Sequence, residues 1–402
     1  MKGMRHFSAL RIGGLGLAIT LLVTACGGTT PSTRGGSVTH GTYLSVTHGT
    51  YLVGAPYPET GSEADGGTGM FKGEQLAATQ INKSGGVLGH KIVLSGQDDA
   101  CTPQTAVNAA NDLVSQGVQA IVGNYCSSAA QPELPIFARA NGGKGIPNII
   151  CAANSTTLTQ GGYHNVFLIN PSGNIQAGEA AGFFTKVLKT KTLLVADDQS
   201  TYAVDVAHLT VSDLKSSSTK VLPIQSVPDT TQDFSPIIIT LQTDHATAVY
   251  WTGYYAQAAL FVRQLRAAGV NIPFVTADGG VDPAFISAAG SVANGTYATM
   301  STVTQFLTGP AAKAFRHDYV STFHSQPGPY AAHGYDGIYT LAKAAEKAHS
   351  LNPVKVIAAL RSLTFKGLTG TVSFAANGAR KGAKFIVLEV AKSQYELAPR
   401  QP

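Results

Sequence analysis

Apolar residues along this chain fall into short continuous runs, separated by stretches whose apolar positions recur every three or four residues. The runs are residues 51–55, 91–94, 120–123, 148–150, 192–196, 246–252 and 273–277. Between them lie amphipathic segments. One covers 70–83 and halts at Gly85-Gly86. Another opens at Pro103, places Val107, Ala110, Leu113 and Val114 on one face, and ends at Gly117. Further segments start at Tyr202 and cover 256–268 and 282–289. Near-continuous apolar strands alternating with amphipathic helices predict parallel sheets covered on both faces by helices. In such α/β folds a ligand sits outside the carboxyl ends of the strands, so the candidate chemistry is sought there.

The first residues follow a different pattern. Lys2, Arg5 and Arg11 precede an apolar stretch, 12–23, that is too short to span a bilayer core of ~30 Å as a helix. The layout is that of an export signal over residues 1–25. Leu22-Val23-Thr24-Ala25-Cys26 places small residues just before a cysteine and resembles a bacterial lipobox, in which Cys26 is acylated and becomes the first mature residue. Residues 26–50 are rich in Gly, Ser, Thr and Pro, as expected of a flexible tether. They contain most of a tandem repeat, 37–44 and 45–52, read as a duplicated entry into the first strand. His40 and His48, one in each copy, are a weak metal-ligand pair, and no metal site is expected.

Composition narrows the function. The 402 residues carry 28 Lys and Arg against 23 Asp and Glu; losing Lys2, Arg5 and Arg11 leaves 25 bases. That near balance, with no basic stripe, argues against nucleic acid as a partner. The mature length exceeds what one hydrophobic core usually serves, so two lobes are expected. Once Cys26 is assigned to lipid, Cys101, Cys126 and Cys151 remain. An exported chain favours one disulfide and one spare thiol, and spacing alone permits any of three pairings.

No Gly-x-Ser-x-Gly elbow, Walker loop or His-Glu-x-x-His motif occurs. The spacing of Ser212 and Lys215 stands without companion motifs, so no enzyme is expected. Gly66-Gly67-Thr68-Gly69 reads as a loop before a helix. The strand ends carry small, hydroxyl, amide and aromatic groups instead: Asn124-Tyr-Cys-Ser-Ser128, Cys151-Ala-Ala-Asn-Ser-Thr156, Asp197-Asp-Gln-Ser-Thr-Tyr202, Thr252-Gly-Tyr-Tyr255 and Asp278-Gly-Gly280. Hydroxyls and helix-start N–H groups suit a carboxylate, an acidic side chain suits an ammonium, and tyrosines wall the rest. Each group also has a bland reading: Ser127 or Asn154 as a helix cap, Asp278 as a turn residue, the tyrosines as packing.

Asp98-Asp-Ala-Cys-Thr-Pro103 followed by Cys126-Ser-Ser-x-x-Gln-Pro132, with Gly86-x-x-Gly89-x-Lys91, Arg263-Gln-x-Arg-Ala-Ala-Gly269 and 370–378, resembles the leucine/isoleucine/valine-binding protein family. These are type I periplasmic solute-binding proteins that serve ABC permeases, and the likeness covers about 53–390. It implies two Rossmann-like lobes with parallel sheets flanked by helices and three crossings between them, near 170–171, 300–301 and 384–385. The lobes are then 51–170 with 301–384, and 171–300 with 385–402. It also implies a Cys101–Cys126 disulfide that presents Ser127. Ser127, the backbone of Ala152, and Asn154 would take a ligand α-carboxylate; Tyr202, Tyr254 and Asp278 would come from the second lobe, Asp278 pairing with the α-ammonium; Tyr330 would close the side-chain pocket. Asn154 stands where the family usually has threonine, and Asp278 is one methylene shorter than the usual glutamate. The implied protein is a monomeric, lipid-anchored, extracytoplasmic binder of an aliphatic amino acid, without cofactor. A small amide, urea-like compound or aromatic acid is the alternative ligand, and a ligand-sensing receptor module the alternative role.

Overall fold

The computed structural model describes residues 49–402. The expected export signal, Cys26, His40, His48, the tether up to residue 48 and most of the tandem repeat lie outside the described residues.

The apolar runs become two sheets. β1 (Thr50–Tyr57), β2 (Lys91–Asp98), β3 (Ala120–Gly123), β4 (Asn148–Ile150) and β5 (Val166–Leu168) are all parallel, in the order β2-β1-β3-β4-β5. Every residue of β3, β4 and β5 is buried, which explains why their sequences are apolar except at Asn148. The second sheet contains β6 (Thr192–Asp197), β7 (Lys220–Val221), β8 (Gln225–Ser226), β9 (Ala248–Trp251), β10 (Phe274–Thr276) and β11 (Tyr297–Met300), again parallel. β12 (Thr364–Gly367) and β13 (Gly370–Ser373) form a separate hairpin. β14 (Ile386–Ala391) and β15 (Gln394–Leu397) then close the second sheet with an antiparallel edge beside β11. The sheet order is β15-β14-β11-β10-β9-β6-β7, with β8 also paired to β6.

The helices are α1 (Ala64–Lys83), α2 (Pro103–Ser115), α3 (Ser127–Gly143), α4 (Thr157–Gln160), α5 (Gly173–Gly182), α6 (Thr201–Leu214), α7 (Ser235–Thr243), α8 (Tyr255–Ala267), α9 (Pro283–Ala289), α10 (Pro310–Phe323), α11 (Ala331–Ala348) and α12 (Pro353–Arg361). Local chemistry sets several starts. Pro103 occupies the first turn of α2, and the Thr102 hydroxyl accepts from the Thr105 N–H at 3.3 Å. Asp282 caps α9 by accepting from the Ala284 N–H at 2.8 Å. No helix among the described residues is long and apolar enough to cross a membrane.

Residues 66–69 correct one expectation: they lie inside α1 rather than in a loop before it. The glycines are there for close approach. A Cβ on Gly66 would strike the Tyr125 ring, one on Gly67 would strike Pro58, and one on Gly73 would strike the Ala331 carbonyl. α11 can therefore lie directly on α1 and over β3 and β4, which brings Tyr330 to the carboxyl edge of the first sheet. In the second sheet, Trp251 is fully buried among Phe234 and Phe261, edge-on to both. Such pairs contribute ~0.5–1.5 kcal/mol each beyond burial. The Trp251 indole N–H donates to the Tyr254 carbonyl at 3.1 Å, so this core also holds Tyr254.

Candidate functional site

The seven residues singled out as ligand contacts arrive from different strand ends. Ser127 is the first residue of α3 after β3, and Ala152 and Asn154 follow β4. Tyr202 lies in the first turn of α6, Tyr254 precedes α8, Asp278 follows β10, and Tyr330 precedes α11. All seven line one cavity of about 10 Å³, together with Tyr125, Ala153 and Gly279. Its wall is aromatic: the Tyr125 ring lies 5.4 Å from Tyr330 and 6.4 Å from Tyr254, and Tyr202 lies 5.5 Å from Tyr254.

Asp278 is the polar centre. It is buried, and a buried carboxylate is costly unless it is hydrogen-bonded. The Tyr202 hydroxyl donates to its Oδ1 at 2.6 Å. Oδ2 accepts from the Tyr330 hydroxyl at 2.6 Å, Asn170 Nδ2 at 3.1 Å and Asn154 Nδ2 at 3.3 Å. All four donors are neutral. Burial first, and then the Asp278 charge, hold the Tyr202 and Tyr330 phenols well above their ordinary range, so they stay protonated and donating. The Gly279 N–H in turn donates to the Tyr202 oxygen at 2.9 Å. Behind Asn154 a polar chain continues: its Nδ2 also donates to Gln176 Oε1 at 3.1 Å, and Gln176 Nε2 donates to Thr299 Oγ1 at 3.1 Å.

The other groups are set as follows. Ser127 Oγ accepts from the Ser155 N–H at 3.2 Å, which leaves its hydroxyl proton for donation. The Ala152 N–H donates to the Asn124 carbonyl at 3.2 Å, and its carbonyl accepts from Asn170 Nδ2 at 2.8 Å. Both backbone groups of Ala152 are thus engaged by protein. Asn154 Oδ1 and Asn170 Oδ1 are buried without a partner. Two further links join elements of the two sheets. The Thr201 N–H donates to Ser128 Oγ at 3.0 Å. Asp205 accepts from the Thr156 N–H and hydroxyl at 2.7 and 2.8 Å.

Cys101 and Cys126 form the disulfide, with Cα atoms 5.4 Å apart. It pins the segment before α2 to the residue before Ser127. Cys151 is the free thiol, fully buried at the end of β4, and burial pushes its pKa well up. No group of three or more metal-ligating side chains occurs among the described residues.

Sequence reasoning missed Tyr125 and Asn170. Tyr125 sits between Asn124 and Cys126 in a strand-end stretch rich in polar groups, which was the available signal. Asn170 lies 108 positions from Asp278, and only the folded chain shows the pair.

Three comparisons with known proteins fit this geometry. Residues 50–394 match the periplasmic binding protein family. The chain is 31% identical over 332 residues to the leucine-, isoleucine-, valine-, threonine- and alanine-binding protein of Pseudomonas aeruginosa, covering 83% of this chain and 87% of that one. It is 29% identical over 338 residues to the leucine-specific-binding protein of Salmonella typhimurium, covering 84% and 89%. Among solved structures, a branched-chain amino acid transporter substrate-binding protein from Streptococcus pneumoniae, in complex with isoleucine, aligns with TM-score 0.79 and 25% identity over 88% of this chain and all (100%) of that one. A leucine-binding protein from Thermotoga maritima aligns with TM-score 0.81 and 24% identity, covering 87% and 98%. The fold is that of a type I periplasmic binding protein. The chain belongs to the periplasmic binding protein family, within its leucine/isoleucine/valine-binding branch.

Proposed function

We propose that this protein captures a free amino acid between two lobes and delivers it to an ABC permease on the outer side of a membrane, tethered through lipid on Cys26. The lobes are 51–170 with 301–384, and 171–300 with 385–402. The packing of α11 on α1, β3 and β4 and the return of β14 and β15 to the second sheet support that division. The observation that carries the reading is the single cavity shared by Ser127, Asn154, Asp278 and four tyrosines. The Ser127 hydroxyl, the start of α3 and Asn154 receive the α-carboxylate. Asp278 receives the α-ammonium as a charge-assisted pair, which replaces amide contacts now made by Asn154 and Asn170. The tyrosines enclose an aliphatic stem, in keeping with the named ligands of the relatives.

A cavity of about 10 Å³ holds one water at most, so a ligand enters only when the lobes part. Contacts with both lobes then favour closure. No bond is made or broken. The Trp251–Tyr254 hydrogen bond supports tryptophan fluorescence as a reporter of that closure.

The four neutral donors on Asp278 favour one second reading, a neutral amide as ligand, since a carboxylate already fully hydrogen-bonded has no electrostatic need of a cation. Asp278→Asn separates the two. Loss of amino-acid affinity, measured by titration calorimetry on the full chain in detergent, supports the zwitterion site. Unchanged affinity for the best-binding solute supports the amide.

A further inference from the structure

A second and larger cavity, about 670 Å³, adjoins the first, and Tyr254 belongs to both walls. Two buried carboxylates, Glu63 and Asp198, line it from opposite parts of the chain: Glu63 immediately precedes α1, and Asp198 follows β6. Asp198 sits directly behind Tyr254, whose N–H donates to its Oδ2 at 3.0 Å. The Ser200 N–H donates to Oδ1 at 3.0 Å.

Glu63 is in a different condition. It is only 3% exposed, and its Oε2 has no hydrogen-bond partner. The Tyr125 hydroxyl, from the wall of the smaller cavity, is likewise buried and unpartnered. It packs against α1 at Gly66, three residues beyond Glu63. Orphaned buried polar groups are costly, so their persistence needs a reason. Burial first, and then the Asp198 charge, hold the Glu63 carboxyl well above its ordinary range, against a smaller lowering by a hydrogen bond with the Ser62 side chain. No cation offsets this excess. Arg263, the one base on the larger cavity's wall, is exposed, and neither Glu63 nor Asp198 makes an ion pair among the described residues.

We propose that the ligand is an amino acid whose side chain ends in a cation, an ammonium or a guanidinium, held by Glu63 and Asp198. Its stem runs past Tyr254, which lines both cavities, and a tyrosine face favours a cation further. The Tyr125 hydroxyl supplies a neighbouring acceptor. This assignment rests on the reading of the Asp278 cavity as the α-amino-acid site. It departs from the aliphatic ligands in the relatives' names, because an aliphatic side chain would leave Glu63 Oε2 buried without a partner.

The matched probes are L-lysine and L-norleucine, which share a stem and differ in the terminal ammonium, with L-ornithine, L-arginine and L-leucine beside them. Titration calorimetry uses the full chain in detergent after unfolding and refolding. The expected result is that at least one cationic amino acid binds about tenfold or more tightly than norleucine, the scale of a hydrogen bond to a charged group. Glu63→Gln, nearly isosteric and checked for folding by circular dichroism, should remove most of that preference. Norleucine or leucine binding as tightly as every cationic probe overturns the inference and leaves the amino-acid site standing. Binding of no amino acid overturns both. The wild-type comparison decides the matter even if the variant misfolds.

Discussion

Tyr330 and Asp278 meet at 2.6 Å, hydroxyl to carboxylate Oδ2, and so join the start of α11, which packs on the first sheet, to the end of β10 in the second. A donor to a buried charge contributes ~1.5–3 kcal/mol, which makes this pair a main tie across the cavity. Tyr330→Phe keeps the ring and its edge contact with Tyr125 but removes the tie. The expected loss is about 1–2 kcal/mol in urea denaturation, because Asp278 retains Tyr202, Asn154 and Asn170. No measurable loss would mean that water replaces the phenol.

The disulfide makes a second, separate prediction. Cys101 and Cys126 are 25 positions apart, and on the chain-entropy model closing such a loop stabilises by roughly 3 kcal/mol. The double variant Cys101→Ser, Cys126→Ser should lower the denaturation free energy by that order. It should also weaken ligand binding, because Ser127 follows Cys126 directly. Cys151 should resist thiol reagents in the folded wild type, since it is fully buried with a raised pKa.

Stability should fall with rising pH through Asp99. Burial, the main cause, pushes this carboxyl from 3.8 to about 7 in the folded chain. A raised folded value means that the folded state holds a proton the unfolded state releases. The contribution is therefore fully present below about pH 4 and lost as pH climbs to about 7. Asp99→Asn keeps an oxygen for the Cys101 N–H, which Asp99 Oδ1 accepts at 2.8 Å. Relative to this variant, the wild type should lose on the order of 4 kcal/mol across that window. Denaturation of both proteins at several pH values tests it. Parallel pH profiles would contradict the assignment.

How far the sequence led depends on the range of the interactions involved. The buried strands β3, β4, β6, β9 and β10 were legible as apolar runs, because parallel strands covered on both faces need no polar side. The strand-end rule and the family motifs then led to Ser127, Asn154, Tyr202, Tyr254, Asp278 and Tyr330, which share one cavity. What escaped was set at long range. The glycines of α1 resemble a loop in sequence because two of the contacts that require them, with Tyr125 and with Ala331 of α11, lie far along the chain. α11 itself was not read, although Ile338, Leu341, Ala342 and Ala345 recur at helical spacing and are all buried. The resemblance places 385–402 in the second lobe, but the antiparallel pairing of β14 and β15 there is recorded by no local pattern. Glu63 escaped because a lone glutamate before a helix carries no sign that it will be buried.

The measurement that bears most directly on the central claim is a thermal-shift screen of the refolded full chain, with the twenty amino acids set beside small amides, urea and aromatic acids. A ligand at about 100 times its dissociation constant adds ~2.7 kcal/mol of stability. The account predicts a clear upward shift with at least one amino acid, lost in Asp278→Asn. A shift confined to solutes without an α-ammonium, or one that Asp278→Asn leaves intact, would contradict it.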